Sequence, residues 1–223
     1  MHNEGHEQPY SLWWTWNSAG MSCHAALEEI GVDYSLPFID FDEPWSEDYK
    51  ALNPNLKVPT LVDYEPADHD KSQPVVIYQS AAILHYLADK HPEAKLLPAP
   101  GSRERALCYQ WLSFLAEMLQ PAYMEFYYPQ RHTTNESGTS EICDMAVQRA
   151  DELWGRIEAS MSTDYLSGDT ISICDLYLLP MIKWNMDIEF TSLDKYPKVM
   201  SLIHKLHHRS AVQAMLDAHC RYE

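Results

Sequence analysis

The residues of this chain able to do chemistry fall in four short stretches. Val58-Pro59 stands directly before the apolar run Thr60-Leu61-Val62. An X-Pro bond adopts cis at modest cost, and a cis bond at a strand start turns the preceding amide outward. Taken alone, the pair reads equally well as a turn proline. Gln79-Ser80 follows a second apolar run, Val75–Tyr78, and opens the amphipathic stretch Ala81-Ala82-Ile83-Leu84-His85-Tyr86-Leu87. A Ser at a helix N-terminus offers an anion its hydroxyl, its N–H and the positive end of the helix dipole. It also serves as a plain helix cap, and both readings hold for Ser80. Asn17-Ser18-Ala19-Gly20 supplies a hydroxyl and an amide before another helix, or simply turn chemistry. Ser172 and Asp175 have N-cap and N3 spacing, with Ile171 and Leu176 placed as a hydrophobic staple. That fourth pattern serves folding rather than catalysis.

These stretches need elements to hold them. Tyr10–Trp16 is rich in bulky aromatics and predicts a strand. A helix over Met21–Ile30 follows, stopped by Gly31. Leu36–Asp40 predicts a second strand. Thr60–Val62 and Val75–Tyr78 predict a hairpin across the polar loop Asp63–Pro74. The helix from Ser80 ends near Lys90-His91-Pro92. Pro92–Gly101, with three prolines, reads as a linker. Beyond it Leu107, Trp111, Phe114, Leu115, Met118 and Leu119 carry the stripe of a buried helix face. Pro121 should end or kink that helix. The polar loop Arg131–Ser140 separates it from a helix marked by Ile142, Ala146, Leu153 and Ile157. Lys198–His219 predicts one last helical segment.

Composition narrows the function classes. The chain has 223 residues and a net charge of -17. Such a surface repels phosphate backbones and anionic lipid, so neither nucleic acid nor a membrane is an expected partner. The start lacks a basic region followed by an apolar one, and reads as a flexible tail rather than a secretory signal. Five cysteines (Cys23, Cys108, Cys143, Cys174 and Cys220) form no Cys-x-x-Cys pair. A disulfide scaffold, a zinc ribbon and a dithiol redox site are disfavoured, and a reducing cytoplasm fits. His204 and His208 have i, i+4 spacing but lack an evident third metal ligand, so a surface helix is the simpler reading and no metal is expected.

The order β-α-β then β-β-α, the Val-Pro strand start, Gln-Ser at a helix opening and the Ser172–Asp175 box together resemble the cytosolic glutathione transferases. The likeness spans about Ser11 to Leu216. Gly101-Ser-Arg-Glu-Arg105 followed by Gln110-Trp-Leu-Ser-Phe114, and Arg209-Ser-Ala-Val-Gln213, are closest to the bacterial beta class. The resemblance implies a thioredoxin-like N-terminal domain over 10–91 that binds glutathione, and an all-helical domain over 102–223 that forms the hydrophobic co-substrate site. It implies glutathione as co-substrate and a homodimer. It assigns the backbone of Val58, beside Pro59, to the cysteinyl part of glutathione, and Gln79 and Ser80 to its γ-glutamyl end. Lys57 and Trp45 are candidates for the glycine carboxylate, against the readings of a solvated Lys and a packing Trp. Tyr123, Phe126, Tyr127 and Tyr128 are candidates for the electrophile pocket, against a reading as core aromatics.

The chain departs from that family at two points. The family has Glu where this chain has Gln79, which loses the charge facing the ligand ammonium. The beta-class Cys falls at Ala19 and its His at Gln120. Ser18 is then the first candidate to stabilise the thiolate, and Asn17 the second, with the backbone N–H groups of 19–21 as a third source. Cys23, inside the helix, is expected to be a buried structural thiol, with His24 beside it facing solvent or capping a contact. The expected function is conjugation of the glutathione thiolate to small hydrophobic electrophiles, a detoxification chemistry, without covalent catalysis by a protein Cys. The alternative is a non-catalytic binding protein for glutathione and hydrophobic ligands. Thiol-disulfide exchange is a third option, against which Ala19 argues.

Overall fold

A computed structural model describes residues 8–66 and 73–219. The expected N-terminal tail, the middle of the loop after Asp63, and Cys220 lie outside these residues, apart from Gln8 and Pro9. The chain divides into two compact units, one comprising residues up to Leu97 together with those from Arg209 onward, the other Pro98–His208.

The first unit is a four-stranded sheet flanked by helices. Strands β1 (Tyr10–Trp13), β2 (Tyr34–Ser35), β3 (Thr60–Asp63) and β4 (Val75–Tyr78) lie in the order β2-β1-β3-β4. β1 and β2 are parallel, as the intervening helix requires, and β3 runs antiparallel to both β1 and β4. The hairpin register pairs Thr60 with Tyr78 and Asp63 with Val75. β2 falls two residues before the expected Leu36–Asp40; only Phe38 of that segment bridges back, to Trp14. Pro37 explains the break, because it has no N–H for a ladder. Helix α1 (Gly20–Ile30) buries Met21, Cys23, Ala25, Ala26 and Leu27. Gly31 ends it at φ 75°, its N–H on the Leu27 carbonyl at 2.9 Å. Helix α3 (Ser80–Lys90) buries Ile83, Leu84 and Leu87. Between them lies a short helix the periodicity did not reveal, α2 (Glu47–Leu52), capped by the Ser46 hydroxyl on the Tyr49 N–H at 3.2 Å.

The second unit is helical: α4 (Arg103–Phe114), α5 (Gln120–Tyr127), α6 (Thr139–Ser160), α7 (Ile173–Asp187) and α8 (Pro197–His207). Pro121 neither ends the first of these nor kinks it freely. A π-helical stretch over Leu115–Leu119 joins α4 to α5. Proline has no N–H for the Glu117 carbonyl and its ring would collide with it, so the widened turn absorbs both defects. The Ser172–Asp175 capping box forms at the head of α7. The fully buried Asp175 carboxylate accepts the Ser172 N–H at 2.9 Å, the Ser172 hydroxyl at 2.8 Å and the Leu166 N–H at 2.8 Å. Burial pushes this carboxyl up to about 6, while the three donors favour the ionised form, so it remains a carboxylate at neutral pH. Cys174, also fully buried, sits beside the Ser172 hydroxyl at 3.0 Å.

Two expectations about the C-terminal part are corrected. The segment 198–219 is not one helix: α8 ends at His207 and α9 runs Ser210–His219. The domain expected over 102–223 also loses α9, which belongs to the first unit. Ala211, Val212, Met215 and His219 are its buried face, and Arg209 makes a two-pronged ion pair with Glu29 of α1, one arm at 2.7 Å. A helix sorts by the partner of its apolar face and not by its place in the chain.

Candidate functional site

Three segments of the first unit build the site. The first is the loop before β3. The Val58-Pro59 bond is cis. Pro59 is buried and Val58 half-buried. The N–H and C=O of Val58 take no hydrogen bond among the described residues. The carbonyl one residue earlier is held firmly. Lys57 O accepts the Tyr49 hydroxyl at 2.6 Å and the Asn53 amide at 2.8 Å. Both donors also reach Thr60 Oγ1, at 2.9 and 3.0 Å. Tyr49, Asn53 and Thr60 are all buried, so this polar knot is shielded from water and its bonds are hard to replace. Asn53 Oδ1 further accepts the Asn55 N–H at 3.0 Å, which shapes the turn in which Leu56 takes φ 50°. The expected outcome for Asn53→Ala is a loss of about 1–3 kcal/mol in unfolding free energy, because two buried acceptors lose a donor. Denaturant titration checks it.

The second segment is the turn from β1 into α1. Asn17 is exposed at φ 47°. Ser18 is half-buried, and its Oγ accepts the Gly20 N–H at 3.2 Å. Its carbonyl accepts the Met21 N–H at 3.1 Å. Gly20 is needed here for close approach. A Cβ on it would stand 3.1 Å from Ser18 Oγ, 3.4 Å from Trp14 Cβ and 3.7 Å from Pro59 Cβ. Ser18 and Pro59 therefore share one small neighbourhood, although forty residues separate them in sequence.

The third segment is the start of α3. Gln79 is the N-cap, exposed and at φ 76° and ψ 114°, outside the comfortable regions for a residue with a Cβ. The helix cap expected at Ser80 is thus carried by Gln79, and Ser80 is the first helical residue. Its hydroxyl donates to the Ala19 carbonyl at 3.4 Å, tying the third segment to the second. The Ser22 hydroxyl holds the same carbonyl at 2.8 Å. No side chain caps α3, so the leading N–H groups of the helix keep their capacity for an anion.

The remaining candidates divide. Trp45 stacks on Tyr49 with ring centroids 5.3 Å apart and planes 23° apart, which attaches it to the knot under Lys57. The Lys57 side chain is exposed. In the second unit Tyr123 is fully buried, its ring 4.6 Å from that of Phe190. Its hydroxyl donates to Asn185 at 2.9 Å and accepts the Trp154 indole N–H at 3.0 Å. It offers a ligand no surface, whereas Phe126 and Tyr127 are half-buried. Gln120 accepts the Tyr177 hydroxyl. Cys23 is fully buried and its thiol is pushed up to about 12 by burial, so it is no nucleophile at neutral pH. His24 neither faces solvent nor caps: it is 2% exposed and bonded to the Tyr34 hydroxyl at 2.7 Å. His204 and His208 are exposed, and no group of three or more His, Cys, Asp or Glu among the described residues is placed to hold a metal ion. Sequence reasoning missed Tyr49, Asn53, Thr60 and Gly20. Only Ser46 before Glu47-Asp48 signalled the helix that carries Tyr49.

The comparisons with known proteins bear on the family and the fold. The chain matches the model of the glutathione S-transferase N-terminal domain over residues 20–90 and that of the C-terminal domain over 118–209. It is 29% identical to the disulfide-bond oxidoreductase YfcG of Escherichia coli, covering 86% of this chain and 87% of YfcG. It is also 29% identical to glutathione S-transferase Z2 of Arabidopsis thaliana, over 84% of this chain and 80% of that protein. Among solved structures, a sphingomonad glutathione S-transferase complexed with glutathione superposes with a TM-score of 0.78 at 25% identity, covering 95% of this chain and all of the other. With a thioredoxin-like unit, a helical unit and both domain models in their expected order, the chain belongs to the glutathione S-transferase family.

Proposed function

We propose that this protein binds glutathione along Val58, Gln79 and Ser80 and conjugates its thiolate to small hydrophobic electrophiles. Ser18 donates the hydrogen bond that stabilises the thiolate. The carrying observation is the Ser18 geometry: its Oγ accepts the Gly20 N–H at 3.2 Å, which leaves the hydroxyl proton to be donated. The same turn lies against Pro59. A ligand pairing with the unpartnered amide and carbonyl of Val58 in strand fashion would bring its sulfur toward this turn. The first N–H groups of α1 add positive potential there. The γ-glutamyl carboxylate is assigned to the Ser80 N–H and to its hydroxyl, which turns from its long 3.4 Å bond on the Ala19 carbonyl, and its ammonium to Gln79. Lys57 and Trp45 stand on the same loop system for the glycine end, and Asn17 is the second donor near sulfur. Phe126 and Tyr127 remain the aromatic candidates for the electrophile, as a separate assignment within the helical unit.

A second reading rests on Ala19 and Gln120, which stand where the beta class has Cys and His: a binding protein that holds glutathione and hydrophobic ligands without turning them over. A cytoplasmic homodimer is part of the proposal on family grounds alone. One experiment separates the two readings. Calorimetric titration with glutathione is expected to show binding, weakened about tenfold in Ser80→Ala through the loss of one bond to a charged group. Turnover of chlorodinitrobenzene is expected alongside it. Binding without turnover of any of several electrophiles selects the second reading, and no binding overturns both.

A further inference from the structure

α9 closes over a buried seam that contains two histidines. His24 of α1 and His219 of α9 are 2% and 3% exposed, with ring centroids 5.3 Å apart. Three of their four ring nitrogens, His24 Nδ1 and both nitrogens of His219, are buried without a hydrogen-bond partner among the described residues. Buried polar atoms are nearly always paired, so three orphans in one place call for an explanation. The fourth nitrogen fixes the tautomer. Tyr34 donates its one hydroxyl proton to Glu28, so His24 Nε2 must donate to the Tyr34 oxygen, at 2.7 Å. His24 Nδ1 is then a bare lone pair facing the seam.

The seam reaches the proposed thiol site in one step. The His219 ring lies 4.3 Å from that of Trp14. Trp14 is anchored by its indole N–H on the Leu36 carbonyl at 3.2 Å, and its Cβ is one of the three atoms that crowd Gly20 in the Ser18 turn. Trp14 also packs on Trp16 and Phe38, at 4.9 and 5.3 Å. The end of α9 and the turn therefore both pack against the one indole.

We propose that the His24–His219 pair is an acid-sensitive clamp, docking α9 only while both imidazoles are neutral, and that His219 is a positioning residue for the Ser18 turn through Trp14. The part concerning Ser18 rests on the function proposed above; the clamp itself does not. The charged and titratable groups around the pair are few. Glu28 lies 3.8 Å from His24 Nε2 and Tyr34 stands between them. His219 faces His24 and the uncharged Trp14. Asp217, on the same helix, is exposed, and Arg209 is committed to Glu29. Among the described residues, burial and His24 are what act on His219, and no acid opposes them. Burial pulls His219 down to about 3, with His24 adding to the effect, and burial pulls His24 down to about 4 against the opposing Glu28. An undocked α9 frees both rings to protonate near their ordinary 6.5. Folded values below the open-state values mean that acid, between about pH 6.5 and 4, favours opening.

Amide hydrogen exchange of residues 210–219 in the full chain tests the clamp at about pH 7.5 and pH 5. After correction for intrinsic rates, opening of α9 is expected to rise roughly tenfold or more in acid. His219→Phe keeps a ring against Trp14 without a titrating nitrogen, and is expected to cut that rise by about tenfold or more, leaving the part due to His24. In the same variant the acid limb of kcat/KM moves to lower pH. An acid response absent from the parent overturns the clamp, as does one equally large in His219→Phe. If that variant fails to fold, the parent's response still decides. If the parent turns over no electrophile, the Ser18 reading fails while the exchange measurement still judges the clamp.

Discussion

Asp175→Ala is expected to lower unfolding free energy by about 3–5 kcal/mol, the largest effect of any single change considered for this protein. The carboxylate is fully buried and serves three donors, two of them backbone N–H groups at the head of α7 and in the loop at Leu166. Alanine leaves the two backbone N–H groups without their acceptor, whereas the Ser172 hydroxyl still has Ser167 Oγ at 3.0 Å, and each orphan costs about 1–3 kcal/mol. The effect reaches beyond the cap, because α7 is the most deeply buried helix of its unit, with Leu176, Leu178 and Met181 in the core. Urea unfolding followed by circular dichroism measures it. Asp175→Asn, which keeps one acceptor oxygen, should lose roughly half as much. A loss below about 1 kcal/mol in the alanine variant would show that water or a neighbouring group takes over the donors.

Ser18→Ala is expected to lower kcat/KM with glutathione and an electrophile by about tenfold to a hundredfold, while glutathione affinity changes little. One hydrogen bond from a preorganised donor to a developing or resting anion is worth about 1.5–3 kcal/mol. The hydroxyl is preorganised, since the Gly20 N–H already occupies its acceptor side at 3.2 Å. Its loss also raises the pKa of the bound thiol, so the activity should recover in part at higher pH. A pH–rate profile thus distinguishes a missing donor from a distorted turn, which would lower the rate at every pH. Unchanged kcat/KM in Ser18→Ala, with a loss in Asn17→Ala, would transfer the role to the Asn17 amide. Gly20 limits the alternatives, because any side chain there meets Ser18 Oγ at 3.1 Å.

The contrast between these two positions is instructive. Asp175 and Ser172 were legible because a capping box is a local pattern, complete within four residues. The helix stop at Gly31, the hairpin of β3 and β4, and the start of α3 were legible for the same reason. Glycine after a periodic apolar run, or an alternating run ended by a turn, states its own conformation. β2 was misplaced because two half-buried residues, Tyr34 and Ser35, carry no distinguishing pattern. α9 was assigned to the wrong unit because a buried face does not name its partner.

By itself the sequence determined the kinds of group this protein presents to a ligand: a residue before proline, a Ser at a helix opening, and a Ser beside an Asn in the turn before another helix. These follow from residue identity and nearest neighbours, which are local. Only the tertiary structure decided that Ser18 and Pro59 crowd the same glycine, that the Lys57 carbonyl is held by Tyr49 of α2 and by Asn53 just after it, and that Tyr123 is core. Only it brought His219 onto Trp14 and His24, which stand near the other end of the chain. Such contacts depend on which apolar faces bury one another, and that choice is made by the whole unit at once.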